Sequence, residues 1–311
     1  MHSEGLGSAG YGGLWVGLPR KASIQLVIIS GLIFASLGIT LWLFTISQLM
    51  SSTVWTTWHP CGLLSGEPVH PFAIIVLNQP LNGKALDAVI GSASLLVCAD
   101  GGANRLYTYD QDKRNFKNRL PDAIIGDFDS LSKPVEEHYR AQGVPVIEDS
   151  DQYSTDFTKC LKWIRTWCHK SFDSPSTTMD VVVLGGLGGR VDQGFSQIHH
   201  LYMAENDEAL LKGRIYLLSE QSLSFVLANS NNRIHVVPGY FEENVGIIPV
   251  LGRTIITTSG LEWDVNQWTT EFGGQVSTSN HIRSDKIEIS FQGPRPLFTL
   301  ELHKTLTAPG S

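Results

Sequence analysis

The chain has 311 residues, 42% of them hydrophobic and 17% charged, with a formal net charge of -7 at pH 7. That is enough apolar content for a full core and for two folded units. An acidic balance without any cluster of Lys and Arg excludes a nucleic-acid partner, whose phosphate backbone needs such a cluster. Cys61, Cys98, Cys160 and Cys168 show no C-x-x-C spacing and are too few for a disulfide framework or a zinc site, so a reducing compartment is expected.

Residues 1–22 read as a disordered N-terminus. Ser23 to Met50 contains no charged residue and is long enough to cross a bilayer, which predicts a transmembrane helix and membrane association through residues 23–50. Arg20 and Lys21 precede it and no Lys or Arg follows before Lys84, so the positive-inside bias sends everything after Met50 across the membrane. The alternative is an extension from a mistaken gene start. Residues 51–70, rich in Ser, Thr, Gly and Pro with no apolar period, read as a linker.

From residue 71 to 211, strand-like and helix-like runs alternate. The strands are Phe72 to Leu77, Leu95 to Ala99, Ala123 to Ile125, Val144 to Ile147 and Val181 to Leu184; the longest helices run from Asp156 to His169 and from Asp192 to Met203. Such alternation predicts an α/β domain, a Rossmann-like parallel sheet with helices on both faces and ligands at the carboxyl ends of its strands. After about Lys212 the rhythm becomes short strands between turns, from Arg214 to Leu218 through Leu297 to Leu302, which predicts an all-β sandwich domain over residues 212–311.

Three acidic clusters fall at strand ends or helix starts of the first domain. Asp127 and Asp129 flank Phe128, and on an extended backbone both carboxylates point to one side, as a hard divalent cation requires. The structural alternative is an acidic turn capping the next helix. Thr155 to Lys159 opens an amphipathic helix, with Thr155 as cap, Asp156 facing the crevice and Lys159 reaching a phosphate, or serves as an ordinary helix start. The turn Gly185 to Gly189 opens another helix, where backbone N–H groups cradle phosphate or simply make a tight connection. It departs from the Walker A pattern and, with Val191 in the last position, from G-x-G-x-x-G. Arg190 and Asp192 beside it favour phosphate and metal contact. His199 and His200 read as helix residues without a metal role. Trp263, in a turn beside small hydroxyl residues, suits a flat cationic ring or else a rim aromatic. A rival reading is a haloacid-dehalogenase-type phosphatase with Asp127 as nucleophile, but that motif follows the first strand of its fold and Asp127 follows the third. From another class, an idle nucleotide-binding module leaves the retained aspartates, Lys159 and Arg190 without a purpose.

Together, Cys98 to Leu106, Gly126 to Ser130, Thr155 to Cys160, Leu184 to Gln193, Ser259 to Asp264 and Ser277 to Asn280 closely resemble the thiamine pyrophosphokinase family. The resemblance implies transfer of pyrophosphate from ATP to thiamine with magnesium, in the cytoplasm, by a homodimer whose active site lies at the subunit interface. It implies that Asp100, Asp127, Asp129 and Asp156 hold magnesium and polyphosphate, with Asp100 or Asp156 taking the hydroxyl proton and Asp192 near the transferred group. It also implies that Gly102, Asn104, Arg105, Lys159, Gly186, Gly189, Arg190 and Gln193 serve the nucleotide, and that Trp263, Ser277, Ser279 and Asn280 receive thiamine. The segment Ser23 to Met50 has no counterpart in that family.

Overall fold

The computed structural model describes residues 54–113, 119–172, 178–208 and 210–307. Those from Trp55 onward belong to one compact unit. The predicted disordered segment 1–22 and transmembrane helix 23–50 lie outside the described residues, among which no helix is long and apolar enough to cross a membrane.

In chain order the strands are β1 (Thr56–Trp58), β2 (Phe72–Val76), β3 (Leu95–Ala99), β4 (Ala123–Gly126), β5 (Val146–Glu148), β6 (Asp180–Leu184), β7 (Ile215–Leu218), β8 (Ser222–Val226), β9 (Asn231–His235), β10 (Phe241–Ile248), β11 (Thr254–Ser259), β12 (Trp268–Thr270), β13 (Ser277–His281), β14 (Lys286–Gln292) and β15 (Leu297–Leu302). The helices are α1 (Pro60–Ser65), α2 (Gly83–Val89), α3 (Gly102–Lys113), α4 (Lys133–Ala141), α5 (Asp156–Ser171) and α6 (Val191–Asn206). One ten-stranded sheet runs in the order β13-β10-β15-β8-β7-β6-β2-β3-β4-β5, and a five-stranded sheet in the order β1-β9-β14-β11-β12. The pairs from β7 to β5 are parallel, and those from β7 through β8 to β13 antiparallel. An α/β sheet region is thus followed by a β-rich one.

The residues dictate this layering. Strands β2, β3 and β6 are buried along their whole length, as parallel strands covered on both faces must be. Alternation sends Phe72, Ile74 and Val76 into one core with α2, α3, α4 and the five-stranded sheet. Ala73, Ile75 and Leu77 go into the other, beneath Phe157, Leu161 and Ile164 of α5 and Leu201 of α6. Strand β7, grouped by its sequence with the β-rich part, extends the parallel sheet from β6, so one sheet passes through both regions.

The linker reading of residues 51–70 is corrected. Thr56–Trp58 pairs in parallel with β9, and α1 follows directly. Trp58 is fully buried, stacks on Phe225 at 4.4 Å and donates its indole N–H to Asn232 Oδ1 at 2.9 Å. A few large apolar side chains, Trp58, Leu63 and Leu64, bind an otherwise small and polar segment to the core. We expect Trp58→Phe, which keeps most of the packing but leaves the buried Asn232 amide oxygen without this donor, to cost about 1–2 kcal/mol, read as a lowered denaturant midpoint. An unchanged midpoint would show that the hydrogen bond from Trp58 to Asn232 contributes nothing to stability.

Candidate active site

Because β2, β3, β4 and β6 run in parallel, their carboxyl ends deliver Asn78, Asp100, Asp127 and the Gly185 turn to one edge of the sheet. There Asn78, Asp100 and Asp127 line a cavity of about 510 Å³ together with Gln79, Gln152 to Phe157, Arg190, Gln193, Gln197 and His200. Carboxylate oxygens of Asp100, Asp127 and Asp156 lie within 4.8 Å of one another. Three anionic oxygens at that spacing fit a hard divalent cation. Gly126 makes the convergence possible, since a Cβ there would stand 2.6 Å from the Asp100 Cβ and 3.2 Å from Asp156 Oδ1.

Asp100 is 2% exposed and sits at φ 43°, a left-handed conformation rare outside glycine and held here by its surroundings. Its two carboxylate oxygens accept the backbone N–H groups of Ser130 at 3.0 Å and Leu131 at 3.1 Å. Burial pushes its carboxyl up to about 6, against the Ser130 hydrogen bond, and the neighbouring Asp129 and Asp156 push the same way. Burial also raises Asp156, while Lys159 opposes the rise. The Lys159 ammonium, 3% exposed, donates to Asp156 Oδ1 at 3.1 Å. Its own burial is outweighed by that bond and by the fields of Asp156, Asp127 and Asp149, so it is held above the ordinary lysine range.

The folded state therefore holds the Asp100 proton more tightly than the unfolded chain does. This stabilises the cation-free fold below the ordinary value of 3.8, and the contribution is lost as pH rises through about 6. A divalent cation neutralises the repulsion that appears on ionisation. We expect magnesium to raise the melting temperature more near neutral pH than at about pH 5; an equal rise at both would contradict cation binding at these carboxylates.

The other predicted residues divide. Asp129 follows Phe128, whose φ of 63° departs from the extended backbone expected between it and Asp127. It lies beside Asp100 but outside the three converging carboxylates, exposed and accepting from Ser130 Oγ at 2.7 Å. Arg190 and Gln193 line the cavity, whereas Asp192 is exposed, pairs with Arg190 through two hydrogen bonds and is not among the lining residues. Asn104 donates to Ser130 O at 2.8 Å and accepts from Ser132 N at 3.1 Å, bracing the acidic loop; Arg105 donates to Asn78 Oδ1 at 3.0 Å. Gly186 is buried against Leu217, and Gly189 lies against the Gln79 side chain. The exposed Phe195 and Val191 border a second concavity beside this turn.

Several lining residues carried no sequence signal of a role. Gln197, 4% exposed, accepts the Leu187 N–H at 2.5 Å and so ties down the glycine turn. Gln152 donates to Asp127 Oδ2 at 3.3 Å, and His200 joins the start of α5. Their positions inside helix and loop runs read only as secondary structure; the long-range pairing that aims them at the cleft is tertiary.

In the β-rich region, Trp263, 54% exposed, lines a concavity of about 240 Å³ with Trp268, Val276, Ser277, Thr278 and Asn280. Asn280 fixes the Trp263 backbone by accepting its N–H at 3.1 Å and donating to its carbonyl at 3.0 Å. Ser279, at φ 52°, lies outside this lining.

Fold and cleft define an α/β protein with clustered carboxylates, a buried lysine and an exposed arginine at the strand ends, joined to a β-rich region carrying an aromatic pocket. The family model for thiamin pyrophosphokinase, catalytic domain, matches residues 86–211, and that for thiamin pyrophosphokinase, vitamin B1 binding domain, matches residues 231–295. Thiamine pyrophosphokinase 1 of Arabidopsis thaliana is 34% identical over 244 residues, covering 75% of this chain and 87% of its own. The Saccharomyces cerevisiae thiamine pyrophosphokinase is 32% identical, covering 70% and 83%. Among solved structures, thiamin pyrophosphokinase from Candida albicans superposes with a TM-score of 0.71 at 26% identity, over 82% of this chain and 95% of the other. The chain belongs to the thiamine pyrophosphokinase family.

Proposed function

We propose that this chain transfers the pyrophosphoryl group of ATP to the hydroxyl of thiamine, giving thiamine diphosphate and AMP. The observation that carries the reading is the convergence of Asp100, Asp127 and Asp156, with Lys159 behind them, in a strand-end cavity of a chain of this family. Magnesium bound by the three carboxylates would supply charge neutralisation for the polyphosphate. Arg190 and Gln193, on the cavity wall, contact phosphate oxygens, and Arg190 exchanges its bond to Asp192 for them. Asn104 and Arg105 act through the loops they brace. Attack on a phosphorus with a good leaving group needs positioning and neutralised charge more than covalent catalysis, which suits a cleft built around converging carboxylates.

The reading assigns residues 71–211 to the ATP-binding catalytic domain, in the Rossmann-like manner, and 212–311 to a thiamine-binding sandwich. Trp263 stacks on the cationic thiamine ring, with Ser277 and Asn280 on the pocket wall. A homodimer that brings the Trp263 pocket of one protomer to the acidic cavity of its partner completes the site; the exposed Trp263, Val191 and Phe195 are apolar surface that such association would cover. Use of ATP places the catalytic part in the cytoplasm.

Incubating the purified chain with magnesium, ATP and thiamine should give AMP in step with thiamine diphosphate, resolved by chromatography. ADP with thiamine monophosphate would contradict the reading in favour of a simple kinase. Trp263→Ala is expected to raise the KM for thiamine about tenfold or more, from loss of cation–π contact and burial, with the KM for ATP nearly unchanged. Equal rises in both would remove Trp263 from the thiamine pocket.

A further inference from the structure

We propose that His200 is a positioning residue, clamping the first turn of α5 from α6 so that Asp156 is held in register with Asp100 and Asp127. The inference rests on the reading of those three carboxylates as the cation site.

His200 is 3% exposed, and its ring is bonded on both sides. Nδ1 lies 2.6 Å from the Ser196 carbonyl oxygen, which can only accept, so Nδ1 carries the proton of the neutral ring. Nε2 is then the acceptor, and it lies 2.7 Å from Thr155 Oγ1 and 2.9 Å from Thr158 Oγ1. Both hydroxyls belong to the start of α5. Thr155 is its N-cap and accepts the Thr158 N–H at 3.2 Å. The ring also stacks on Phe157 at 4.7 Å and 24°. Contacts to Thr155, Phe157 and Thr158 therefore enclose Asp156 along the chain, while the Asp156 side chain remains on the cavity wall.

Two helices meet in this contact. Helix α6 carries Arg190 at its N-cap and Gln197 beneath the glycine turn, and α5 carries Asp156 and Lys159. The imidazole couples the phosphate-facing turn to the cation-facing carboxylate through a buried acceptor within reach of both hydroxyls, which also lie 3.1 Å from each other. Groups that orient metal-binding side chains typically change metal affinity 10- to 100-fold when removed.

The test uses the full chain and manganese alone, with free ion measured by electron paramagnetic resonance and no substrate present. His200→Gln places an amide oxygen near the Nε2 position, whereas the shorter His200→Asn cannot reach the threonines, and both keep a polar, neutral side chain. We expect His200→Asn to weaken manganese binding at least tenfold and to raise the magnesium requirement of turnover similarly, with the KM for thiamine unchanged. His200→Gln should stay within about threefold of the parent, following the 10- to 100-fold scale above. Comparable manganese affinity in the Asn and Gln variants, with circular dichroism matching the parent, overturns the inference. Asp156→Asn serves as the reference: full manganese affinity there removes the cation site and this inference with it. Loss in Asp156→Asn beside an unaffected His200→Asn removes the His200 role alone.

Discussion

Asp127→Asn is expected to lower turnover at least about a thousandfold while leaving the melting temperature within a few degrees of the parent. The substitution is nearly isosteric, and Asp127 is a half-buried group whose structural bonds are modest: it accepts the Asp129 N–H at 3.3 Å and the Gln152 amide at 3.3 Å. Its chemical contribution is larger. It is one of three carboxylates whose oxygens converge within 4.8 Å, and a neutral amide oxygen is a weaker ligand for a hard cation. Removing it also relieves repulsion on Asp156, so the variant should be no less stable without cation and should lose most of the stabilisation that magnesium gives. Product formation followed by chromatography, with thermal melts with and without magnesium, checks both halves. Parental turnover in the folded variant would take Asp127 out of the site.

Gly102→Ala should destabilise the fold by about 3 kcal/mol or more, because its new Cβ would stand 2.0 Å from the backbone oxygen of Val76. No rotamer change relieves a clash between a Cβ and backbone. The start of α3 must lift away from the end of β2, in the segment that carries Asp100 and Asn104. For a fold of this size the expected fall in melting temperature is roughly 6–12 °C. Gly194→Ala, in α6 with nothing within 4 Å of its added Cβ, is the control and should raise stability by about 0.5–1 kcal/mol through helix propensity. If Gly102 served only to admit phosphate, Gly102→Ala would instead keep its melting temperature and lose ATP affinity.

The α/β half of the fold was legible because its strands are apolar on both faces and its helices carry a clear period. Phe72 to Leu77 and Val181 to Leu184 admit only burial between two layers. Acidic residues at the ends of those strands then mark the cleft. Local pattern was insufficient elsewhere. Strand β1 has three residues, and its Trp58 finds Asn232 across 174 positions, a pairing without a local signature. Strand β13 reads Ser-Thr-Ser-Asn-His, polar throughout, and is held by pairing with β10 rather than by apolar alternation.

Within the site the same division holds. Asp100, Asp127 and Asp156 were readable from their place after strands and before a helix. That Asp129 stays outside the three converging carboxylates was not readable, nor was the left-handed backbone at Phe128, a bulky residue in which sequence predicts an extended conformation. The pairing of Lys159 with Asp156, and its burial on the first turn of α5, also left no mark in the sequence. His200 read as a helix residue because its partners lie 42 and 45 positions away.

The most direct test of pyrophosphoryl transfer follows the phosphorus atoms of ATP. With magnesium, thiamine and ATP labelled separately at the α, β and γ positions, β and γ labels should arrive in thiamine diphosphate in equal amounts while the α label stays in AMP. Arrival of the γ label alone in a thiamine phosphate, with the β label retained in ADP, would contradict attack at the β-phosphorus and with it the function proposed for this cleft.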